Sequence, residues 1–212
     1  MTIIPTEKKG TLRADAQRNR DSILKTAARH FAEHGVNTSL DDIARDAKVG
    51  PGTLYRHFPT REHLLCEVLH GRQEALLARR DDAEAMPSGR EALRVWMQAL
   101  NDYLSAFNGL PQPFIDAFEA QTSPLAVTCR ALVEITGQFL ARAQREGTAR
   151  QSVSAAALFL SAVGSAFVYE KAGKYGTTAE RIEDIVAYGY LQGDTETNAA
   201  EAPDSKQQTG AT

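Results

Sequence analysis

The sequence predicts an all-α protein, and three observations carry that reading. Apolar residues recur at intervals of three and four through one segment after another, the spacing that lines a single face of a helix. No segment alternates apolar and polar residues with the period of two that a half-buried strand needs. Clusters of breakers, among them Gly50-Pro51-Gly52, Pro87-Ser-Gly89 and Gly109-Leu-Pro-Gln-Pro113, punctuate the periodic segments and divide the chain into about nine helices.

Residues 1–17 show no apolar periodicity and carry Lys8, Lys9 and Arg13, which predicts a flexible basic arm. From Arg18 to His34 the residues Ile23, Leu24, Ala27, Ala28 and Phe31 share one face, and Gly35 follows as a C-cap. A second helix of about two turns starts after Thr38 or Ser39, either of which can cap it, with Asp41 or Asp42 three residues on and Leu40, Ile43 and Ala44 facing inward. Gly50 caps a third helix, about Pro51 to Phe58, because Pro51 suits a first helical position where its missing N–H would have no partner. Pro59 closes that helix, and Thr60 caps a fourth with Leu64, Leu65, Val68 and Leu69 inside, continuing toward Arg80. Beyond Gly89, helices are predicted over Glu91–Phe107, Phe114–Glu119, Pro124–Glu146, Ser154–Gly173 and Thr178–Gln192. The last twenty residues are small and polar and predict a disordered tail. The organisation expected is an arm (1–17), a three-helix helix-turn-helix domain (18–72), a bundle of six helices or so (73–192) and a tail (193–212).

Of the 212 residues 42% are hydrophobic and 24% charged, the balance of a soluble globular protein, and no apolar run approaches the ~18 residues of a membrane span. The first residues lack an apolar stretch of signal-peptide length, so export is not expected and a cytoplasmic location is. Cys66 and Cys129 stand apart without metal-ligand spacing, as two free thiols. Charge is divided along the chain. Residues 1–72 carry 12 Lys and Arg against 9 Asp and Glu, a balance of +3, while residues 73–212 carry 12 against 18, a balance of -6. A basic head on an acidic body suits a polyanion partner for the head.

The third helix has the layout that reading a DNA groove requires. Thr53, Tyr55, Arg56 and His57 are polar, while Leu54 and Phe58, four apart, lock the helix inward. Gly50 and Gly52 carry no side chain where a backbone would approach phosphate, and Thr60-Arg61 sets a hydroxyl, a helix start and a guanidinium at the next position.

The segment from Arg18 to Val68 resembles the TetR family of transcriptional regulators without gaps. The resemblance is carried by Leu40-Asp41-Asp42-Ile43-Ala44 and by the run Gly52-Thr-Leu-Tyr-Arg-His-Phe-Pro-Thr-Arg-Glu-His-Leu-Leu65. It implies a three-helix DNA-binding head, an all-helical ligand-binding body and a homodimer made largely by the last two helices. By the same resemblance Thr53 and His57 contact bases or phosphate, Tyr55 and Arg61 contact phosphate, and Arg18 and Arg20 with the arm reach the neighbouring minor groove. Thr38, Ser39, Lys48, Gly50, Gly52, Arg56 and Thr60 complete the expected DNA-facing set. Lys48 stands where the family usually has Gly, and a left-handed backbone there costs Lys of order 1 kcal/mol. Gly50 replaces the usual Ser at a loss of a few tenths.

Other readings compete at particular residues. His30 and His34 share a helix face at the spacing of a two-histidine metal site, the alternative being a metal-sensing regulator; no third ligand follows by spacing, and polar surface histidines are the simpler expectation. No Gly-x-Ser-x-Gly elbow or glycine-rich phosphate loop supports a helical enzyme. In the body, Trp96, Leu100, Tyr103, Phe107, Phe118, Val133 and Thr136 are the candidate lining of an effector cavity, although helical spacing suits core packing equally; few charges point there, so an uncharged or weakly polar ligand is expected. The segment 155–168 is apolar or small around its whole circumference, which requires two covered faces, and Ile182, Ile185, Val186, Tyr188 and Leu191 of the last helix would complete a four-helix seam with a second copy. The expectation is a non-enzymatic DNA-binding regulator: a homodimeric repressor on a palindromic double-stranded operator, released by a small-molecule effector, with no cofactor, metal or membrane partner.

Overall fold

In the computed structural model, which describes residues 7–120 and 123–192, ten α-helices follow one another. They are α1 Glu7–His34, α2 Leu40–Asp46, α3 Pro51–His57, α4 Arg61–His70, α5 Gln73–Glu84, α6 Gly89–Leu104, α7 Pro111–Ala120, α8 Pro124–Arg145, α9 Ala155–Ala172 and α10 Ala179–Tyr190, with one 3-10 turn at Gly173–Tyr175. Among the described residues the only pairing of extended backbone is the isolated bridge Ala149 to Leu191, so the all-α expectation holds. The expected tail lies outside the described residues.

Several boundaries differ from those expected, among them the start of α7, which lies at Pro111 inside the expected break and not at Phe114. Helix α1 begins at Glu7, so residues 7–17 of the expected arm are helical. The single helix expected from Thr60 toward Arg80 is two, because the Gly71 N–H closes α4 on the Glu67 carbonyl and α5 restarts at Gln73. Glycine costs up to about 1 kcal/mol in a helix interior, and here it marks the bend.

The head is α1, α2 and α3 around Ile23, Ala27, Phe31, Ile43 and Leu54, each fully buried. Its caps are local and follow from the sequence. Ser39, not Thr38, caps α2, its hydroxyl accepting the Asp42 N–H at 3.3 Å. Thr60 caps α4 by accepting the His63 N–H at 3.2 Å, and Pro51 opens α3 behind Gly50. Lys48 lies at φ 59, the left-handed region expected for it, and lets the Val49 N–H reach the Ala44 carbonyl.

In the body α6 packs against α5, α8 and α9, and α7 against α8 and α9. Trp96, fully buried, stacks on Phe139 with ring centroids 5.6 Å apart and donates its indole N–H to the Thr136 hydroxyl at 2.9 Å. Thr136 in turn donates to the Leu132 carbonyl. Gly89 permits the close approach of α6 to α8, since a Cβ there would stand 2.8 Å from the Ala143 backbone.

Head and body meet at the turn after α1 as well as along α4, which packs on α8. The Val36 N–H donates to the Asn108 carbonyl, in the loop between α6 and α7, at 2.9 Å. Gly35, at φ +80, leaves room for that contact because a Cβ would sit 2.8 Å from the Asn108 oxygen. Phe31 meets Phe107 edge to face at 5.9 Å, and the Arg72 guanidinium covers the Phe107 ring at 5.6 Å.

Candidate nucleic-acid interface and body cavities

Leu54 and Phe58 hold α3 in the head at 0% and 2% exposure, which turns its polar side outward. Tyr55 and Arg56 are exposed, Thr53 and His57 half-buried, and Arg56 donates to the Thr53 hydroxyl at 2.9 Å. Gly50 and Gly52 are exposed, neither has a positive φ, and a Cβ on either would meet no atom within 4 Å. Nothing inside the chain therefore requires glycine at these positions. Lys48 projects from the same edge, exposed.

The structure gives other members of the expected DNA-facing set work inside the head. Arg61 turns inward, half-buried, donating through Nη1 to the Val36 carbonyl at 2.8 Å and to the Thr38 carbonyl. Desolvation lowers its pKa from the ordinary arginine value, and Tyr55 nearby offsets part of that. Arg20 pairs with Glu67 of α4 and lies over the Phe58 ring at 5.6 Å, bracing α1 against α3 and α4. Arg18 is exposed and pairs with Asp15 one turn before it. Ser39 and Thr60 serve as caps, and the Thr60 hydroxyl also meets His63 Nδ1 at 2.8 Å.

His30 is corrected from a surface residue to a buried one, 5% exposed, with Nε2 2.9 Å from Asp46 Oδ2 and its ring edge-on to His34 at 5.6 Å. That hydrogen bond is the main reason the Asp46 carboxyl lies below its ordinary pKa. Among the described residues no group of three or more His, Cys, Asp or Glu is arranged to hold a metal ion.

The expected effector lining separates. Trp96, Leu100, Tyr103, Phe107 and Thr136 are buried core, while Phe118 and Val133, half-buried, line a groove of ≈250 Å³ between α7 and α8 with Cys129 at its base. A larger cleft of ≈520 Å³ opens between α6, α9 and α10, lined by Glu91, Arg94, Asn101, Glu183 and Asp184 together with apolar Val95, Met97 and Val186. Helical spacing in the sequence did not single out this cleft. Its one sequence signal is Asn101, a polar residue on an otherwise apolar stripe.

A short α2, a seven-residue α3 anchored by two apolar residues with its polar side outward, and a helical body define a helix-turn-helix regulator. The profile described as "Bacterial regulatory proteins, tetR family" matches residues 23–68, and that described as "Transcriptional regulator SbtR-like, C-terminal domain" matches residues 88–191. The TetR transcriptional regulator SCO0520 of Streptomyces coelicolor is 30% identical, with 81% of this chain and 98% of that chain covered at a TM-score of 0.54. An HTH-type transcriptional regulator of Staphylococcus aureus strain USA300 is 42% identical over 59 residues, 27% of this chain, and the chain spans 32% of that relative's length. The regulator AibR, solved in complex with isovaleryl coenzyme A and operator DNA, shares the fold at a TM-score of 0.54 and 21% identity, covering 80% of this chain and 96% of that one. The chain belongs to the TetR family of transcriptional regulators, whose members are regulators rather than enzymes.

Proposed function

We propose that the chain is a repressor that binds a near-palindromic double-stranded DNA operator as a homodimer and releases it when a small molecule occupies the body. The observation that carries this reading is the outward side of α3, where Thr53, Tyr55, Arg56 and His57 flank two glycines that neither packing nor backbone conformation requires. Small and polar groups at the start of a short helix suit entry into a major groove, and exposed Lys48 adds a phosphate contact at its edge. Arg18 extends toward the adjacent minor groove. Arg61, Arg20, Ser39 and Thr60 act on DNA by fixing the angle at which α3 is presented.

The second copy is supported by Leu160, Gly164 and Val168, a stripe of exposed apolar or small residues on α9, together with Ile185 at 72% and Tyr188 at 80% exposure on α10. A four-helix seam from two copies covers both faces. Leu191 and most of Val186 belong instead to the protomer's own packing. Two heads held by such a seam meet successive grooves only when spaced ~34 Å apart or a multiple of it, so a ligand that favours another spacing weakens binding by its differential affinity. No described helix is long and apolar enough to cross a membrane. A DNA operator as partner supports a cytoplasmic location.

Selection of bound fragments from random DNA with the full chain tests the reading. The expected result is an inverted repeat occupied by a dimer. Recovery of sequences without any shared motif overturns the operator assignment, and a monomer on a single half-site overturns the dimer.

A further inference from the structure

Helix α10 is tied to α6 by two polar pairs that bracket the larger cleft. Arg94 donates to Asp184 at 3.1 Å, and the Asn101 amide N–H donates to Glu183 at 3.2 Å. Asn101 is 6% exposed and lines the cleft, yet its carbonyl oxygen Oδ1 is buried without a hydrogen-bond partner. Tyr169 of α9 turns its buried hydroxyl toward Glu183 and Ser165. What Asn101 and Glu183 leave open is hydrogen-bond acceptance, at an amide oxygen and a carboxylate, with the Asn101 N–H already directed at Glu183. A buried acceptor left unmade is unfavourable, and an acceptor beside a carboxylate is the complement of a charged N–H donor.

The surroundings point the same way. Glu91, Glu180, Glu183 and Asp184 line the cleft against the single cation Arg94, so the local field is negative. Burial raises the Glu183 carboxyl above its ordinary pKa, with Asn101 and Tyr169 partly offsetting it, so the fold holds this group where its ionised form lacks a countercharge. Val95, Met97, Ala162 and Val186 give the cleft apolar walls, which suit a hydrocarbon body and not a hydrated inorganic ion.

We propose that the cleft between α6, α9 and α10 binds a small organic cation, a primary ammonium on an apolar body, with the ammonium donating to Asn101 Oδ1 and the Glu183 carboxylate. Its regulatory consequence rests on the ligand-released reading above, because α10 carries Ile185 and Tyr188 on its exposed side. A ligand wedged between α6 and α10 shifts the helix that presents those residues to the second copy.

Titration calorimetry on the full chain tests the site directly, using n-hexylammonium and cyclohexylammonium chloride, the matching neutral alcohols, and magnesium chloride. The ammonium ions are expected to bind saturably, the alcohols and magnesium not. Glu183→Gln and, independently, Asn101→Leu weaken ammonium binding at least about tenfold while retaining cooperative thermal unfolding. Absence of ammonium binding to the unsubstituted chain overturns the proposal. So does equal affinity in the Glu183→Gln variant, and so does a preference for the alcohols or for magnesium. Operator affinity measured with and without the ammonium ion keeps the two readings separate: saturable, Glu183-dependent binding that leaves operator affinity unchanged retains the site and refutes release through it.

Discussion

Replacing Gly52 by alanine separates the two demands that can place a glycine at the second position of a helix. Within the chain the added Cβ meets no atom within 4 Å and the backbone has no positive φ, so the substitution strains nothing. Alanine loses less conformational freedom on folding, which stabilises a helix interior by about 0.5–1 kcal/mol, with the lower end suited to a first turn. For a domain of this size that corresponds to a rise of roughly 1–4 °C in melting temperature. On DNA the same methyl stands between the start of α3 and the backbone or base edge it approaches. A loss of ~1.4 kcal/mol or more there is a tenfold or greater rise in Kd. Thermal unfolding and fluorescence anisotropy with the selected operator measure the two effects on the same preparation. The expected outcome is a more stable protein that binds worse. Higher stability with unchanged affinity refutes the placement of this face against DNA, and lower stability refutes the description of the site as open.

Three further substitutions test separate features. Lys48→Gly relieves the left-handed backbone at φ 59 and raises stability by of order 1 kcal/mol, about 2–4 °C in melting temperature, while flattening the salt dependence of operator binding by about one phosphate contact; an unchanged melting temperature refutes the strain. Arg61→Ala removes a charged donor from the Val36 and Thr38 carbonyls and lowers stability by roughly 2 kcal/mol in chemical denaturation; a variant of unchanged stability whose only defect is a smaller salt slope restores Arg61 to a phosphate. Glu183 has a folded pKa above its unfolded one, so the folded state holds the proton more tightly and stability falls as pH rises through that window. Glu183→Gln is expected to raise the melting temperature at pH 7 and to flatten its fall as pH rises above the ordinary glutamate range; an unchanged pH profile refutes the desolvated carboxylate.

The features legible in the sequence are those set within a few residues. Gly35, Ser39, Pro51 and Thr60 mark helix ends by capping chemistry that acts over one turn, and Lys48 discloses its strain by standing in a turn that prefers glycine. The bend at Gly71 is not legible because a lone glycine inside an apolar pattern is compatible with a continuous helix. The roles of Arg61 and Arg20 were not legible because their partners lie 25 and 47 residues away in sequence, and a basic residue beside a reading helix looks the same whether it faces inward or outward. His30 is the same case, its hydrogen-bond partner Asp46 lying on another helix. In the body, helical periodicity marks which side of α6 is buried and is silent on whether that side is filled. Trp96 and Thr136 fill it by bonding one another, whereas Asn101, a turn further on, faces a gap left by the placement of α10, which only tertiary packing determines.

The contact between Val36 and Asn108 joins main chain to main chain, and the carbonyl of the same residue, Val36, accepts from Arg61. Such a joint does not depend on the hydrogen-bonding chemistry of the Val36 and Asn108 side chains and asks instead for a glycine beside each, Gly35 at φ +80 and Gly109 at φ +79. Body residues away from this joint, from Phe107 and from the α4–α8 contact can therefore drift in sequence while the main-chain link to the head stays intact. A head and a body from different relatives should stay joined when spliced after α4, provided that both glycines and the Phe31–Phe107 contact are kept. The Val36 amide proton is also a built-in reporter: its rate of exchange with deuterated solvent measures, at one atom, how often the head lets go of the body.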